Sequence, residues 1–317
     1  MILKPQKYNI LVLMLLLFFQ LAAQQDPQYT QYMYNMSTIN PGYATDSENV
    51  NFGALYRMQW IGVEGAPSTG TFFAHTPLAK NVETGLSIVH DQIGDVVKET
   101  SVFADFAYVV KLSEKNKISF GLKAGATFFS TNFDGFVYSD NLPDPAFANN
   151  ISKVFPNIGV GTFYFSDNYY LGLSSPNLLS NKHLEKSDGI YRNGIETIHY
   201  FFTGGYVFNL NENLKFKPAF MARVVSGAPT SFDLTSNFLI NEKVELGAAY
   251  RWSDALSGLI NFKVTPSLRI GYAYDHTLSN LGRFSSGSHE IMLLFDINKD
   301  QDKNNKNKGY DKSPRFF

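Results

Sequence analysis

The most constraining feature of this sequence is a two-residue alternation of side-chain type that recurs in segment after segment. In one clear example, apolar residues alternate with glycine, alanine and charge over 244–252: Val244, Leu246, Ala248, Tyr250 and Trp252 against Glu245, Gly247, Ala249 and Arg251. A period of two predicts strands rather than helices, because successive strand residues point to opposite faces. An aromatic-rich apolar face opposite a face of small and charged residues is typical of a transmembrane barrel with lipid outside and a polar interior.

The composition agrees with a barrel in a membrane. Only 17% of the 317 residues are charged, while 15% are aromatic. After the amino-terminal leader, no apolar run reaches the roughly 18 residues that a membrane-spanning helix needs. A soluble all-β domain is the alternative interpretation, but so many strands would leave it too few charged residues for its surface.

The alternation predicts fourteen strands, and the segments between them fall into two classes. The predicted strands are 50–60, 69–77, 83–91, 98–111, 116–131, 153–165, 169–175, 198–210, 213–225, 231–240, 243–252, 256–263, 267–276 and 287–298. Alternate connections are tight (78–82, 113–116, 166–168, 211–213, 241–243 and 265–267). The intervening ones are mostly long (61–68, 131–152, 176–197 and 277–286), with 226–230 and 253–254 as the brief exceptions. Tight turns on one side and longer loops on the other predict an up-and-down, antiparallel outer-membrane barrel with both termini in the periplasm.

A set of charged residues falls on the side of the strands that should face the barrel interior. In the middle of the membrane each would cost about 2–4 kcal/mol on the lipid face, so we expect them in the lumen. Mutual pairing in the interior and a selective pore are both compatible with their mixed signs. The candidates are Arg57, Asp105, Lys123, Lys217, Arg223, Glu245, Arg251, Arg269, Asp275 and Glu290.

The two ends of the chain have different compositions from the barrel. Residues 1–23 have the basic start, apolar run and small-residue end of a secretory signal cleaved before Gln24, although an uncleaved anchor is the alternative. Residues 24–49 are rich in tyrosine and methionine, which predicts an ordered segment inside or beneath the barrel of residues 50–298. Residues 299–317 form a hydrophilic periplasmic tail that ends in Ser-Pro-Arg-Phe-Phe. The chain has no cysteine, which excludes disulfides and thiolate sites.

No motif for catalysis or cofactor binding stands out. The six histidines lack the spacing of a metal site, and no glycine-rich phosphate loop opens a helix. His199 and Ser226 are the one pair that a membrane phospholipase could use, but a single histidine in a barrel is more often a packing residue. The formal net charge is -1, which gives no indication of nucleic-acid binding. We therefore predict a protein that is not an enzyme and that needs no metal or cofactor.

Both ends resemble a known family. The segment QDPQYTQYMYNMSTINPGYA, residues 25–44, resembles the amino-terminal signature of the PorP/SprF family of outer-membrane proteins from Bacteroidota. The ending SPRFF, residues 313–317, is similar to the family's SPRYF, with Phe316 in place of tyrosine. The resemblance implies a fourteen-stranded barrel in the cell outer membrane that works with the type IX secretion system and with gliding motility.

The resemblance also implies the partners. Members of this family receive the carboxy-terminal secretion domain of an exported adhesin and hold the protein at the cell surface, or contact periplasmic components of the secretion system. The candidate partner-binding residues are Gln25, Asp26, Pro27, Tyr29, Gln31, Tyr32, Asn40, Pro41, Ser313, Pro314, Arg315, Phe316 and Phe317. The alternatives are a transporter for small or hydrophobic solutes, which the Asn40-Pro41-Gly42 sequence also suggests, and a general porin.

Overall fold

The protein is one antiparallel β-barrel, which the computed structural model describes over residues 28–45, 49–134, 149–180, 197–226 and 228–297. The strands are β1 (Val50–Met58), β2 (Pro67–Ala79), β3 (Val82–Ile93), β4 (Val97–Lys111), β5 (Lys117–Thr131), β6 (Ser152–Phe165), β7 (Tyr169–Ser175), β8 (His199–Tyr206), β9 (Phe208–Asn211), β10 (Leu214–Val225), β11 (Ser231–Ile240), β12 (Val244–Arg251), β13 (Ala255–Lys263), β14 (Leu268–Thr277) and β15 (Ser288–Ile297).

The sheet closes on itself because β1 pairs with both β2 and β15. The remaining strands pair with the strands next to them in the sequence, with one exception. β8 and β9 both pair with β10, and together they form one barrel strand. The barrel therefore has fourteen strand positions. Closure removes the exposed edges that an open sheet would present to lipid. The predicted fold class, an antiparallel barrel of about fourteen strands, is confirmed.

The strand predicted over 198–210 is interrupted at Val207. This residue is buried, and its N–H donates to Asn168 O at 2.7 Å, so the chain leaves the regular ladder with β10 at this point. The register with β10 is irregular again between Leu214 and Lys215. A local break of this kind replaces the single predicted strand with β8 and β9, and Gly204 and Gly205 lie just before it in the sequence.

The connections differ between the two ends of the barrel, as predicted. At the end of the barrel where β1 begins, turns such as 80–81 and 212–213 are tight, which assigns this end to the periplasm. At the opposite, external end the connections include 59–66 and 278–287, the second with a short 3-10 helix at Asn280–Arg283. One prediction is wrong here: only residues 94–96 join β3 to β4, so a third external connection is brief, and Gly94 takes a positive φ in it.

The two faces of the wall carry the predicted chemistry. Large apolar side chains such as Leu122, Phe202 and Leu256 point outward and are exposed, whereas charged side chains such as Glu245 are buried on the inner face. Among the described residues, no helix combines enough length with enough apolar character to cross a membrane.

The hydrophobic core lies inside the barrel and is centred on residues 28–45, which we call the luminal segment. This segment contains a 3-10 turn (Tyr32–Tyr34) followed by a four-residue helix, α1 (Met36–Ile39). Its apolar side chains pack against inward residues of the wall such as Phe163 and Met292. The lumen is thus filled at this level by the protein's own amino-terminal segment.

Candidate functional site: the luminal segment and the external vestibule

Arg57 on β1 lies between two carboxylates in the external half of the lumen. Its guanidinium is 2.7 Å from Asp275 Oδ2 and 3.2 Å from Glu290 Oε2. The luminal segment completes this cluster, because Thr30 Oγ1 donates to Asp275 Oδ1 at 2.7 Å. The N–H groups of Thr30 and Gln31 donate to the two oxygens of Glu290 at 3.0 and 2.8 Å. The wall therefore pairs these buried charges with one another, and the segment supplies further hydrogen bonds to both carboxylates.

A second charged cluster lies on the neighbouring part of the wall. Arg251 on β12 is directly opposite Asp233 on β11, and Arg251 Nε donates to Asp233 Oδ1 at 2.9 Å. A second contact joins Arg251 Nη1 to Asp254 Oδ2 at 3.4 Å. Arg223 is buried one strand further along, on β10. The external half of this wall therefore carries a concentration of guanidinium groups balanced by carboxylates.

Lys123 on β5 fastens the end of α1 to the wall. Its ammonium donates to the carbonyl oxygens of Ser37 and Thr38 at 3.2 and 3.3 Å. These carbonyls lie at the carboxyl end of α1, where backbone acceptors have no partner within the helix. Asp105, opposite Lys123 on β4, balances the charge at 3.2 Å. One ion pair of the wall thus supplies the cap of the segment's helix.

Tyr34 connects the segment to a third polar cluster, on β10, β12 and β13. Its hydroxyl donates to Glu245, which also accepts from Asn261 Nδ2 at 3.0 Å. Burial, and then the Glu245 carboxylate, raise the pKa of the Tyr34 phenol well above its ordinary value, and Arg269 opposes this shift. The phenol therefore stays protonated and remains a donor. Lys217 Nζ lies 5.3 Å from the centre of the Tyr34 ring, in a cation–π contact.

The Asn40-Pro41-Gly42 turn occupies a groove that two glycines make possible. Gly121 and Gly161 are opposite each other on β5 and β6. A Cβ atom at Gly121 would be 2.1 Å from Pro41 O, and one at Gly161 would be 2.1 Å from Asn40 Oδ1. Asn40 Oδ1 also accepts the N–H of Gly42 at 2.8 Å, which closes the turn. Any larger residue in the groove would displace the segment from the wall.

The carboxyl-terminal end of the luminal segment is bound near the periplasmic side of the barrel. The Thr45 N–H donates to Glu83 Oε2 at 2.9 Å, and His75 Nδ1 lies 3.4 Å from the same oxygen. Just before it, the Tyr43 ring meets Phe163 edge-on at 5.3 Å. The segment is therefore bound to the wall along its whole described length, from Thr30 near the external side to Thr45 near the periplasm.

The structure places five of the predicted partner-binding residues in these internal contacts. Tyr29, Gln31, Tyr32, Asn40 and Pro41 are buried inside the barrel. Tyr29, for example, accepts a hydrogen bond from Thr71 Oγ1 at 2.9 Å. In this conformation their side chains hold the segment inside the barrel. The remaining candidates, residues 25–27 and 313–317, lie outside the described residues.

Above the segment, on the external side, the barrel encloses a cavity of about 830 Å³, which we call the external vestibule. Gln28, Tyr29, Thr38 and Ile39 form its floor, and the external ends of the strands form its walls and rim. Charges of both signs line it: Asp91 and Glu99 on β3 and β4, and arginines on β1, β10 and β12 that have Asp254 and Asp275 beside them. Two tryptophans, Trp60 and Trp252, are also part of the lining.

The sequence analysis predicted the lysines and arginines of these clusters as luminal residues, but it missed two of the acidic residues. Asp233 and Glu83 were not among the predicted luminal charges, although both alternate with apolar residues in their strands. Applying the same period to every acidic residue would have found them. The groove of Gly121 and Gly161 gave no such signal, because only strand register brings the two together. Within the described ranges, no group of three or more acidic, histidine or cysteine residues could hold a metal ion.

Comparison with solved structures shows the fold. The CymD monoaromatic hydrocarbon channel matches with a TM-score of 0.51 at 9% identity, over 82% of this chain and 91% of that one. A Pseudomonas aeruginosa FadL homologue matches with a TM-score of 0.44 at 12% identity, over 87% and 94%. The Acinetobacter baumannii outer membrane protein Omp33 matches with a TM-score of 0.46 at 9% identity, over 80% and 100%. No curated protein sequence matches this chain.

A family model covers almost the whole barrel. The model for the type IX secretion system membrane protein PorP/SprF matches residues 21–295, which include the luminal segment and all but the end of β15. A single-chain barrel with an even number of strands is the architecture of bacterial outer-membrane proteins, so the outer membrane is its location. The chain belongs to the PorP/SprF family of type IX secretion system membrane proteins.

Proposed function

We propose that this barrel binds a secreted partner protein, such as an adhesin with a carboxy-terminal secretion domain, and holds it at the cell surface. The observation that carries the proposal is the external vestibule, whose floor is the luminal segment. A concave site that faces outward above a packed lumen suits a receptor better than a conduit. The role is binding and not catalysis, in line with the fold and the family.

The size and lining of the vestibule indicate what part of the partner it accepts. A cavity of about 830 Å³ is in the range of sites that enclose a small ligand. It therefore accommodates the tip of a loop or a short peptide, while a folded domain rests on the rim. The mixed acidic and basic lining favours a segment that carries both signs of charge, and such complementarity contributes specificity more than affinity.

The carboxyl end of the chain supplies the periplasmic contacts in this proposal. Residues 313–317 come after β15, which ends at the periplasmic side, and we assign them to components of the secretion system. Residues 25–27 directly precede Gln28 of the vestibule floor, and we assign them to the partner. The luminal residues Tyr29, Gln31, Tyr32, Asn40 and Pro41 take part indirectly, because they hold the vestibule floor in position.

The first experiment removes residues 313–317 and measures partner display by surface labelling of intact cells. We expect the barrel to remain in the outer membrane at its normal level while display of the partner is lost. A matched control removes five residues, 304–308, from the hydrophilic part of the tail and should leave display unchanged. Normal display without residues 313–317 contradicts their role, and normal display without the whole barrel contradicts the proposed function.

A second candidate function is transport of small apolar solutes. It is favoured by an amino-terminal segment held inside the lumen, in a fold shared with a monoaromatic hydrocarbon channel. Uptake of a labelled hydrocarbon by liposomes containing the purified barrel separates the two functions. A transporter gives saturable flux and a general porin gives flux limited by solute size, whereas a receptor with a filled lumen gives little of either.

A further inference from the structure

The external vestibule reaches deeper on one side of the barrel than on the other. On β13 and β15 its lining includes only the first residue of each strand, Ala255 and Ser288. On β3 the lining extends from Ile93 to Ser87, and on β4 it extends to Phe103, which is opposite Ser87. The distance from Ile93 to Ser87 is about 20 Å along the strand. The vestibule therefore descends between β3, β4 and the luminal segment.

The bottom of this deep side is less polar than the rim. The described residues that line it are either apolar or carry a hydroxyl group, whereas the carboxylates Asp91 and Glu99 lie nearer the rim. Lys123 joins the wall to α1 here, because its Nζ lies 5.2 Å from the centre of the Phe103 ring and 3.3 Å from Thr38 O. We call this part of the vestibule the deep corner, and its residues are Ile39, Val89, Phe103, Thr38, Ser87 and Ser101.

Two of the hydroxyl groups in the deep corner already have partners. Thr38 Oγ1 donates to Asn35 O at 2.7 Å, and Ser101 Oγ is 2.8 Å from Thr127 Oγ1. Ser87 is only 1% exposed, and its hydroxyl has no hydrogen-bond partner within the described part of the chain. Buried hydroxyl groups normally form a hydrogen bond. The deep corner therefore offers apolar walls and a hydroxyl group that a ligand can use.

We infer that the deep corner is the anchor site for a tyrosine side chain of the secreted partner. This inference rests on the proposed function and names the chemistry of the contact. The aromatic ring packs against Val89, Phe103 and Ile39, and the phenolic hydroxyl forms a hydrogen bond with Ser87 Oγ. A phenylalanine or leucine side chain suits the same walls but leaves Ser87 unpaired. A charged side chain would lose its hydration without gaining a partner of opposite charge in the corner.

Tyrosine also suits the vestibule above the deep corner. Its side chain gives a large contact area with few rotatable bonds, and buried tyrosines are common anchors of protein interfaces. A tyrosine at the tip of a loop places its neighbours in the loop beside Asp91 and Glu99, where polar or charged residues fit. Thr38 and Ile39 belong to the luminal segment, so the anchor site is complete only while the segment is docked.

The test compares two probes on the purified barrel in detergent, N-acetyl-tyrosinamide and N-acetyl-phenylalaninamide, which differ by one hydroxyl group. Ligand-detected NMR measures their dissociation constants. We expect the tyrosine probe to bind about fivefold more tightly, as one hydrogen bond of ordinary strength gives. Ser87→Ala should remove this difference by weakening the tyrosine probe alone. The matched control is Ser236→Ala, which removes a hydroxyl from the outward face of β11 and should retain the difference.

Filling the deep corner gives a second test. Val89→Phe should abolish binding of both probes and display of the partner on intact cells, while heat-dependent gel mobility shows that the barrel is folded. Equal binding of the two probes to the parent barrel, or normal display by Val89→Phe, overturns the inference. Toluene binding more tightly than the tyrosine probe also overturns it, because the corner then takes apolar solutes. If neither probe binds but removal of the barrel abolishes display, the anchor site is wrong and the proposed function stands.

Discussion

Substitution of Gly161 by alanine should release the luminal segment from the barrel wall. The added Cβ would lie 2.1 Å from Asn40 Oδ1 and 3.0 Å from Pro41 Cδ, so the turn must move. The wall itself is held by its strand pairing, and the strain therefore falls on the docked segment. Overpacking of this kind costs about 1–3 kcal/mol. Since 1.4 kcal/mol changes an equilibrium tenfold, the population with the segment released should rise about 5- to 150-fold.

The absence of cysteine from the chain makes this population measurable. Ser37 is 4% exposed in α1, and Ser37→Cys is a small change whose thiol reacts with a maleimide only when the segment moves. In detergent-solubilised barrels, the labelling rate of Ser37→Cys should rise by the same factor when Gly161→Ala is added. Gly258→Ala is the matched control, because a Cβ there meets no atom within 4 Å. Equal labelling rates in the Gly161→Ala and Gly258→Ala backgrounds would refute the reasoning.

Three further predictions concern the same interior. Lys123→Met should lower the thermal stability of the barrel, because it leaves the buried Asp105 without its cation at a cost of about 3–5 kcal/mol. Addition of Asp105→Asn should restore part of this loss. Heat-dependent gel mobility measures the stability of both variants. Glu290→Gln weakens the acceptor for two segment N–H groups and should raise the labelling of Ser37→Cys, whereas unchanged labelling would show that the contact is dispensable. Deletion of residues 28–45 should raise single-channel conductance in planar bilayers well above that of the intact protein, and equal conductance would contradict a lumen filled by the segment.

The strands were predictable because their signal is local. Each transmembrane strand places one face in lipid and the other in the lumen, so alternation appears directly in the sequence, as in 244–251 of β12. The buried positions of Arg57 and Glu245 follow from the same period. Gly204 and Gly205 were a local sign of irregularity, but the position of the break depends on the hydrogen bond of Val207 to Asn168 in the turn before β7.

The contacts of the luminal segment depend on residues that are far apart in the chain. Thr30 and Glu290 are separated by 260 positions, and only closure of the barrel brings them together. The tyrosines and methionines of the segment indicated an ordered element, but nothing local to them indicates which wall residues they meet. For the same reason, the family resemblance of residues 25–44 pointed to partner binding, whereas the described part of that stretch is packed inside the barrel.

The contacts of Thr30 have a consequence for assembly. Arg57 and Glu290 are opposite each other where β1 pairs with β15. We call this junction the seam, because the pairing of these two strands closes the barrel. Thr30 binds both, so the amino-terminal peptide bridges the seam from within. Both contacts need β1 and β15 to be paired, so the docking of the luminal segment and the closure of the barrel are coupled.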